Sequence, residues 1–443
     1  MSVDFLLERF RAHGDLPAVI WQDKEYAYGW LLEEIEAAAE SLAREGIPPG
    51  SVVCLRSEFT PLSVAFLVAL ARNRNILVPV SHAVRSFELF CRIAEVEYVI
   101  EICGDELELR RGGGPPSHRL LRELAGMGHP GLVLFSSGST GESKAAVHDL
   151  VPLMNKFHVR KKMLRSLAFL LFDHIGGINT LLYSLSNGGT LVVTEKRDPD
   201  TICSLIERHR VELLPTSPSF LQMLLMTRAH ENRDLSSLKM ITYGTEAMPE
   251  HTLKKLHEIF PGVRLKQTYG LSEFGIMSSE SRASDSLWIR VGGEDYKTKI
   301  VDGILHVRAQ TAMLGYLNAS SPFDAEGWFN THDRVDVDRE WIRILGRETD
   351  IINVGGQKVY PAEVESVLLE MDNVKEACVF GRPNPIMGSV VAARLSLVME
   401  EPLSKLKKRV RSHCKERLEG FKIPAHVEIA EQIPVSDRFK KMR

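Results

Sequence analysis

The sequence predicts an α/β protein with a large N-terminal part built on a mainly parallel sheet and a small α+β part at its C-terminal end. Three observations carry this. Strand and helix patterns alternate from residue 188 to 269, the order that yields a parallel sheet covered by helices. After residue 290 the pattern changes to short strands and turns. Beyond a charged, glycine-led stretch at 346–350, about a hundred residues with apolar runs of their own suffice for a small separate domain. The expected division is 1–346 and 347–443.

Taken in order, residues 31–44 form an amphipathic helix pattern, 51–55 a short strand, 61–71 a more buried helix and 76–80 a strand. Gly112-Gly113-Gly114-Pro115-Pro116 marks a turn or link. The apolar run 132–134 leads into a loop at 135–144, and 145–148 again has strand character. Then come strand 189–194, helix 199–209, strand 211–215, helix 218–230, strand 239–243, helix 249–260 and strand 264–269. In the helix 249–260, Leu253, Leu256, Ile259 and Phe260 share one face, and Pro249 stands in the first turn, where its missing N–H costs nothing. Strands at 299–301 and 304–308 flank an Asp302-Gly303 hairpin turn. The last part holds a helix opened by Pro361 with Glu363 and Glu365 in its first turn, strands near 376–380 and 389–398, and a basic helix near 404–418.

With 44% hydrophobic and 26% charged residues the chain has the composition of an ordinary globular protein, and a formal net charge of −3 gives no reason to expect nucleic acid or an anionic membrane as partner. Residues 1–9 carry acids where a signal peptide needs a basic start, and apolar stretches such as 64–70 are too short to span a bilayer. No integral membrane segment is therefore expected. Cysteines 54, 91, 103, 203, 378 and 414 are scattered without metal-ligand spacing, as for reduced thiols in a cytoplasmic protein.

Residues 135–144, Phe-Ser-Ser-Gly-Ser-Thr-Gly-Glu-Ser-Lys, combine two glycines, five small hydroxyls and a lysine. Glycines let backbone N–H groups turn toward an anion, and the hydroxyls and the amine add donors, so the loop suits a polyphosphate. By itself such a stretch is as readily a plain surface turn. It lacks the Gly-Lys-Ser/Thr ending and the following helix of a Walker A loop. Ligands of parallel sheets bind at the carboxyl ends of strands, where Tyr243-Gly244-Thr245-Glu246 and Tyr269-Gly270-Leu271-Ser272-Glu273 fall.

In order, these segments resemble the adenylate-forming superfamily of acyl-CoA synthetases, aryl-CoA ligases, peptide-synthetase adenylation domains and luciferases, from about residue 18 to the C-terminus. Ser136–Lys144 resembles its Thr-Ser-Gly-Thr-Thr-Gly-x-Pro-Lys loop, Tyr243–Glu246 its adenine-contacting loop, and Tyr269–Glu273 its Tyr-Gly-x-Thr-Glu. Trp328–Asp333 resembles the segment ending Thr-Gly-Asp, and Gly346–Glu365 the hinge and first helix of a mobile domain. Pro434–Lys440 sits where the family ends in proline, glycine and a catalytic lysine.

The resemblance implies stacked sheets, a distorted β-barrel and a small mobile C-terminal domain, and a carboxylate attacking the α-phosphate of ATP before a thiol takes the acyl group. By position, Ser136, Ser137, Gly138, Ser139, Thr140, Gly141 and Lys144 would cradle the phosphates. Ser272 would approach the α-phosphate, and Glu273 with Thr140 would hold Mg²⁺. Tyr269 and Gly270 would adjoin adenine, with Gly244, Thr245 and Glu246 lining the base. Asp333 would accept from the ribose, with Arg347 nearby. Lys440 would reach the reacting oxygens, although spacing alone separates it from Lys441.

His174, in Leu171–Gly177, would gate an acyl pocket with Gly176 and Gly177 leaving room; the alternative is a helix start with Asp173 as N-cap. Asp173 is offset from the amino-group position of the peptide synthetases. Residues 216–220, Gly270 and Ile276 suit a fatty or aryl acid. Gly355 and Gly356 resemble the version of the hinge loop that passes a pantetheine arm, borne by CoA or an acyl carrier protein. The basic run 405–411 would meet CoA phosphates or an acidic carrier, or is a solvated helix face. His332, Thr349 and Phe439 depart from the family pattern and leave open a catalytically silent nucleotide-binding module; a phosphate-transferring ATPase or kinase is the remaining class.

Overall fold

A computed structural model describes residues 3–137, 143–436 and 441. The N-terminal part contains two seven-stranded sheets. In the first, Arg264–Gln267, Met240–Tyr243, Leu213–Thr216, Arg165–Leu167, Thr190–Val192 and Pro17–Trp21 run parallel in that spatial order, and Lys24–Ala27 closes the edge as an antiparallel hairpin. In the second, Gly131–Ser137, Ile76–Val80, Val52–Arg56 and Tyr98–Cys103 form a parallel centre. Ser143–Asp149 and Gly315–Tyr316 extend it antiparallel on one side, and Glu106–Arg111 on the other.

The two sheets share a core. The helix Pro61–Arg72 is apolar nearly all round and packs with the amphipathic helix Tyr28–Arg44 among residues of both sheets, including Val19, Leu191, Val53 and Leu134. One local device starts several of these helices where a strand ends. A capping residue followed by proline opens them at Thr60-Pro61, Asp198-Pro199 and Ser217-Pro218. Each side-chain oxygen accepts an otherwise orphan N–H, and the proline occupies a position that needs none. At Thr60 the cap is reciprocal, with Thr60 Oγ1 accepting from Ser63 N at 3.0 Å and Ser63 Oγ from Thr60 N at 2.9 Å.

Several expected boundaries move for identifiable reasons. The helix expected over 218–230 stops at Thr227, because Arg228 turns left-handed and a 3₁₀ turn follows. The strand expected over 264–269 stops at Gln267; the chain then leaves the sheet and folds on itself as the short ribbon Gly270–Leu271 against Gly275–Ile276. Pro249 caps its helix from outside, and helical residues begin at Glu250.

The turn-rich region after 290, together with two strands just before it, forms a six-stranded antiparallel sheet, ordered Ser278–Ser281, Trp288–Gly292, Trp341–Arg347, Phe329–Asp338, Ile304–Ala309 and Tyr296–Val301. The C-terminal part has its own core, in which Val364, Leu368, Leu406, Val410 and Cys414 pack beneath a five-stranded sheet. It rests on the larger part partly through His251 N, which donates to Ser366 Oγ at 3.0 Å. Among the described residues no helix is long and apolar enough to cross a membrane.

Candidate active site

A cleft of about 360 Å³ opens where the three large sheets meet. Thr216, Gly244, Thr245 and Thr268 reach it from the carboxyl ends of the first sheet's strands, Ser136 and Lys144 from the second sheet, and Thr331, His332 and Arg347 from the third. Gly270, Ser272, Glu273 and Ile276, on the ribbon that leaves the first sheet, form a wall. Five of the motifs picked out along the sequence thus converge on one space.

Long-range contacts hold the Ser272–Glu273 wall. His148 is fully buried, and its Nε2–H donates to the Ser272 carbonyl at 2.6 Å. A carbonyl only accepts, so this nitrogen carries the proton. Burial pushes the imidazole down to about 4, and the ring is neutral. Met313 N donates to the Glu273 carbonyl at 2.8 Å, and the Tyr316 hydroxyl donates to Glu273 Oε1 at 2.6 Å. Lys144 Nζ lies 5.4 Å from the centre of the Tyr316 ring, so one tyrosine joins the amine and the carboxylate. Asn318 fixes the base of Lys144, accepting from Ala145 N at 3.0 Å and donating to the Ser143 carbonyl at 2.9 Å. Sequence reasoning missed His148, Tyr316 and Asn318. Strand alternation offered a signal for the first, since 144, 146 and 148 face one side.

Asp333 does not itself line the cleft: it is buried behind the opposite wall, pairs across strands with Arg347, which does line it, and sits 3.5 Å from Arg347 Nε. Its other oxygen accepts from the Tyr269 hydroxyl at 2.6 Å. Burial first, and then the Asp333 charge, raise the Tyr269 hydroxyl above its ordinary value and keep it a donor. Tyr269 therefore belongs to the core beneath the cleft, with Phe274 and Phe329, and orients Asp333. His332 stands where the family pattern has glycine, and its φ of +57° explains that preference. His332→Gly is expected to raise stability by up to about 1 kcal/mol, the cost of a left-handed L-residue. A shifted urea midpoint at unchanged slope would register it.

Gly244 is required by packing, since a Cβ there would fall 2.7 Å from Thr268 Oγ1 and 2.8 Å from the Thr268 carbonyl oxygen. Thr245 beside it adopts φ +73°. Glu246 is not among the cleft-lining residues; its Oε1 accepts from Ser219 N at 2.8 Å and so serves the helix Pro218–Thr227.

His174 lines the cleft and is itself the N-cap of the helix Ile175–Ser186, its Nδ1 accepting from Gly176 N at 3.0 Å. Asp173 is not that cap. It is buried away from the cleft, with Ser81 N 3.4 Å from its Oδ2. Gly176 lines the cleft, whereas a Cβ on Gly177 would lie 2.0 Å from the Leu171 carbonyl oxygen, so that glycine serves chain crossing rather than acyl room. Of the expected acyl-pocket residues, Thr216, Gly270 and Ile276 line the cleft and 217–220 do not.

Gly355 and Gly356, at φ +58° and +89°, make the tight turn between Ile352–Val354 and Gln357–Val359. No described residue beyond Arg347 lines the cleft. Gly138, Ser139, Thr140, Gly141 and Lys440 lie outside the described residues, as does the side chain of Ser137. Lys441 is described, and its amine is committed elsewhere: it donates to Glu365 Oε2 and to the Ala377 carbonyl, both at 2.9 Å. The basic helix Leu403–Lys415 buries Leu406, Val410 and Cys414 and leaves Lys405, Lys407, Lys408 and Arg411 exposed.

Residues 6–317 match the family model of AMP-binding enzymes, and residues 363–440 that of the AMP-binding enzyme C-terminal domain. Indoleacetate–CoA ligase of Aromatoleum aromaticum is 27% identical, the alignment covering 94% of this chain and 92% of that one. The 2-succinylbenzoate–CoA ligase of Bacillus pumilus is also 27% identical, over 97% and 94%. The fold is similar to that of the anthranilate CoA ligase AuaEII in complex with anthranoyl-AMP, with a TM-score of 0.84 at 22% identity over 99% and 95% of the two chains. The chain belongs to the AMP-binding enzymes of the adenylate-forming superfamily.

Proposed function

We propose that the protein is an AMP-forming acid–thiol ligase that activates an aryl or fatty acid with ATP and passes the acyl group to CoA. The observation that carries this is the single cleft lined by Lys144, Ser272, Glu273 and Arg347, with the buried Asp333 carboxylate directly behind Arg347. In the first half-reaction an oxygen of the acid's carboxylate bonds to the α-phosphorus, the bond from that phosphorus to the bridging oxygen breaks, and pyrophosphate leaves. In the second, the thiolate bonds to the acyl carbon and AMP leaves.

Ser136, Lys144 and the residues 137–141 would hold the β- and γ-phosphates, Ser272 the α-phosphate, Gly244 and Thr245 the base, and Asp333 the ribose. One Glu273 oxygen is taken by Tyr316 and the other remains for a hard cation, a donor set that fits Mg²⁺, which keeps few protein ligands; Thr140 would be the second. The ion would offset charge on the departing pyrophosphate. His174, Gly176 and Ile276 would border the acyl group. The Lys441 amine is held inside the small domain, which favours Lys440 as the cation that meets the reacting oxygens. Residues 347–443 would turn between the half-reactions, bringing Gly355 and Gly356 to the pantetheine arm.

The ring acids named for similar ligases support an aryl substrate. The exposed Lys405, Lys407, Lys408 and Arg411 favour, as a second acceptor, the same arm on an acidic carrier protein. Acid-dependent exchange of pyrophosphate into ATP across fatty, aryl and amino acids tests the reading. Lys440→Ala is expected to slow exchange by about 10²–10³ without changing ATP binding. ATP binding with no exchange for any acid would leave a silent nucleotide-binding module, and release of orthophosphate a different class of enzyme. Thioester assays with CoA and with a phosphopantetheinylated carrier decide the acceptor.

A further inference from the structure

We infer that the acid carries a second oxygen-bearing group, a carboxylate or a carbonyl, at the end remote from the reacting carboxylate, and that Lys156 with Asn179 receives it. This rests on the ligase reading above and adds to it the class of acid.

Ile175 and Ile276 line the cleft, and the same two residues line a small apolar cavity of about 20 Å³ behind it. The other residues of that cavity are nearly all apolar, among them Leu150, Leu153 and Leu182; the exceptions are Lys156 and Asn179. Lys156 lies in the 3₁₀ turn Asn155–Phe157 with its stem partly exposed, yet the amine points inward. It donates to Asn179 Oδ1 at 2.6 Å and to the Ile276 carbonyl at 2.9 Å. Asn179 follows Ile175 by one helical turn on the helix that His174 opens, so the amine, held between Asn179 and the Ile276 carbonyl, lies directly behind the acyl wall.

Both acceptors of that amine are neutral. Among the described residues no carboxylate lies within ion-pair distance of it, and an ammonium has three N–H donors. Burial, reinforced by Lys161 and opposed by Asp295, draws its pKa down to about 8. A cation kept in apolar surroundings without an anion is costly, and an arriving carboxylate or carbonyl relieves that cost. Ile175 and Ile276 together are the shared wall, so the two spaces join where these side chains turn aside. An acid with only a hydrocarbon end would instead press apolar atoms against a charged amine.

The test compares paired acids in pyrophosphate exchange with the full-length enzyme: phenylacetate against 4-carboxyphenylacetate, and hexanoate against 6-oxoheptanoate and adipate. The wild type is expected to favour the substituted member of each pair by tenfold or more in kcat/KM, and Lys156→Met to reduce that preference at least tenfold, chiefly through KM. Asn179→Leu is expected to shift it in the same direction, and Lys156→Arg to retain part of it. A Lys156→Met enzyme that loses both members equally shows an amine that only staples the 150–157 segment, and overturns the inference. So does a wild type that prefers the plain acids. If Lys156→Met does not fold, Lys156→Gln and Asn179→Leu carry the comparison under the same criteria. Exchange with some acids but no preference refutes this inference alone; exchange with none refutes the ligase reading and this with it.

Discussion

Lys441→Ala is expected to destabilise the C-terminal part by about 3–5 kcal/mol, the cost of breaking a buried pair by removing one partner. Lys441 and Glu365 have side-chain exposures of only 7% and 2%. Glu365 Oε1 accepts from Val379 N at 3.0 Å, so the substitution leaves that backbone donor in place and takes away the Lys441 amine 2.9 Å from Oε2. The pair also joins the C-terminal segment to the helix Pro361–Leu368 and, through the Ala377 carbonyl, to the strand Val374–Asn384. Lys440 precedes Lys441 directly. Loosening that anchor is therefore expected to slow adenylate formation more than tenfold, and thioester formation from supplied acyl-adenylate by less. Urea unfolding monitored by hydrogen exchange within 352–427 reads the first effect, and separate half-reaction assays the second. The double variant Glu365→Gln/Lys441→Met, which removes both charges, should recover much of the stability, as replacing a buried ion pair often does. Equal stability of Lys441→Ala and wild type would show that the amine is not held by Glu365 in solution. Lys440→Ala is the contrast, with lost rate and unchanged unfolding.

The helices opened by a capping residue and proline were legible because the signal is local: Thr60, Asp198 and Ser217 each bond within three residues. The motif loops were legible for a related reason. Glycine appears at 244 and 270 because neighbouring backbone leaves no room for a Cβ, and such constraints leave recognisable strings. What the sequence did not show is which groups those loops bond to. His148 meets Ser272 from 124 residues away, Tyr316 meets Glu273 across 43, and Lys441 meets Glu365 across 76. Pattern and spacing carry no information about such pairings until sheet order places the strands. For the same reason Glu246, expected beside a base, is bound to a helix terminus, and His174 rather than Asp173 caps its helix.

Acidification from pH 6.5 to 4 is expected to remove about 3 kcal/mol of stability through His148 alone. The folded pKa of about 4 lies below the ordinary 6.5, so between these values the unfolded chain binds a proton that the folded chain does not. Stability from this group is complete above pH 6.5, declines as pH falls, and is gone below about 4. Desolvation is the larger cause; the bond to the Ser272 carbonyl acts in the opposite direction and is too weak to offset it. Because that carbonyl adjoins Glu273, protonation of the ring loosens the wall that holds the Glu273 carboxylate, and activity should fall along with stability. His148→Gln places an amide N–H near the position of Nε2 and does not titrate. The difference between wild type and His148→Gln isolates this histidine from the carboxylates that also titrate below pH 5. Denaturant unfolding from pH 7 to 4 should give a wild-type curve steeper by up to about 1.4 kcal/mol per pH unit. Parallel curves would mean that the ring is protonated in the folded enzyme, and the acid sensitivity of the Ser272–Glu273 wall would then have to originate in Glu273 and Tyr316 themselves.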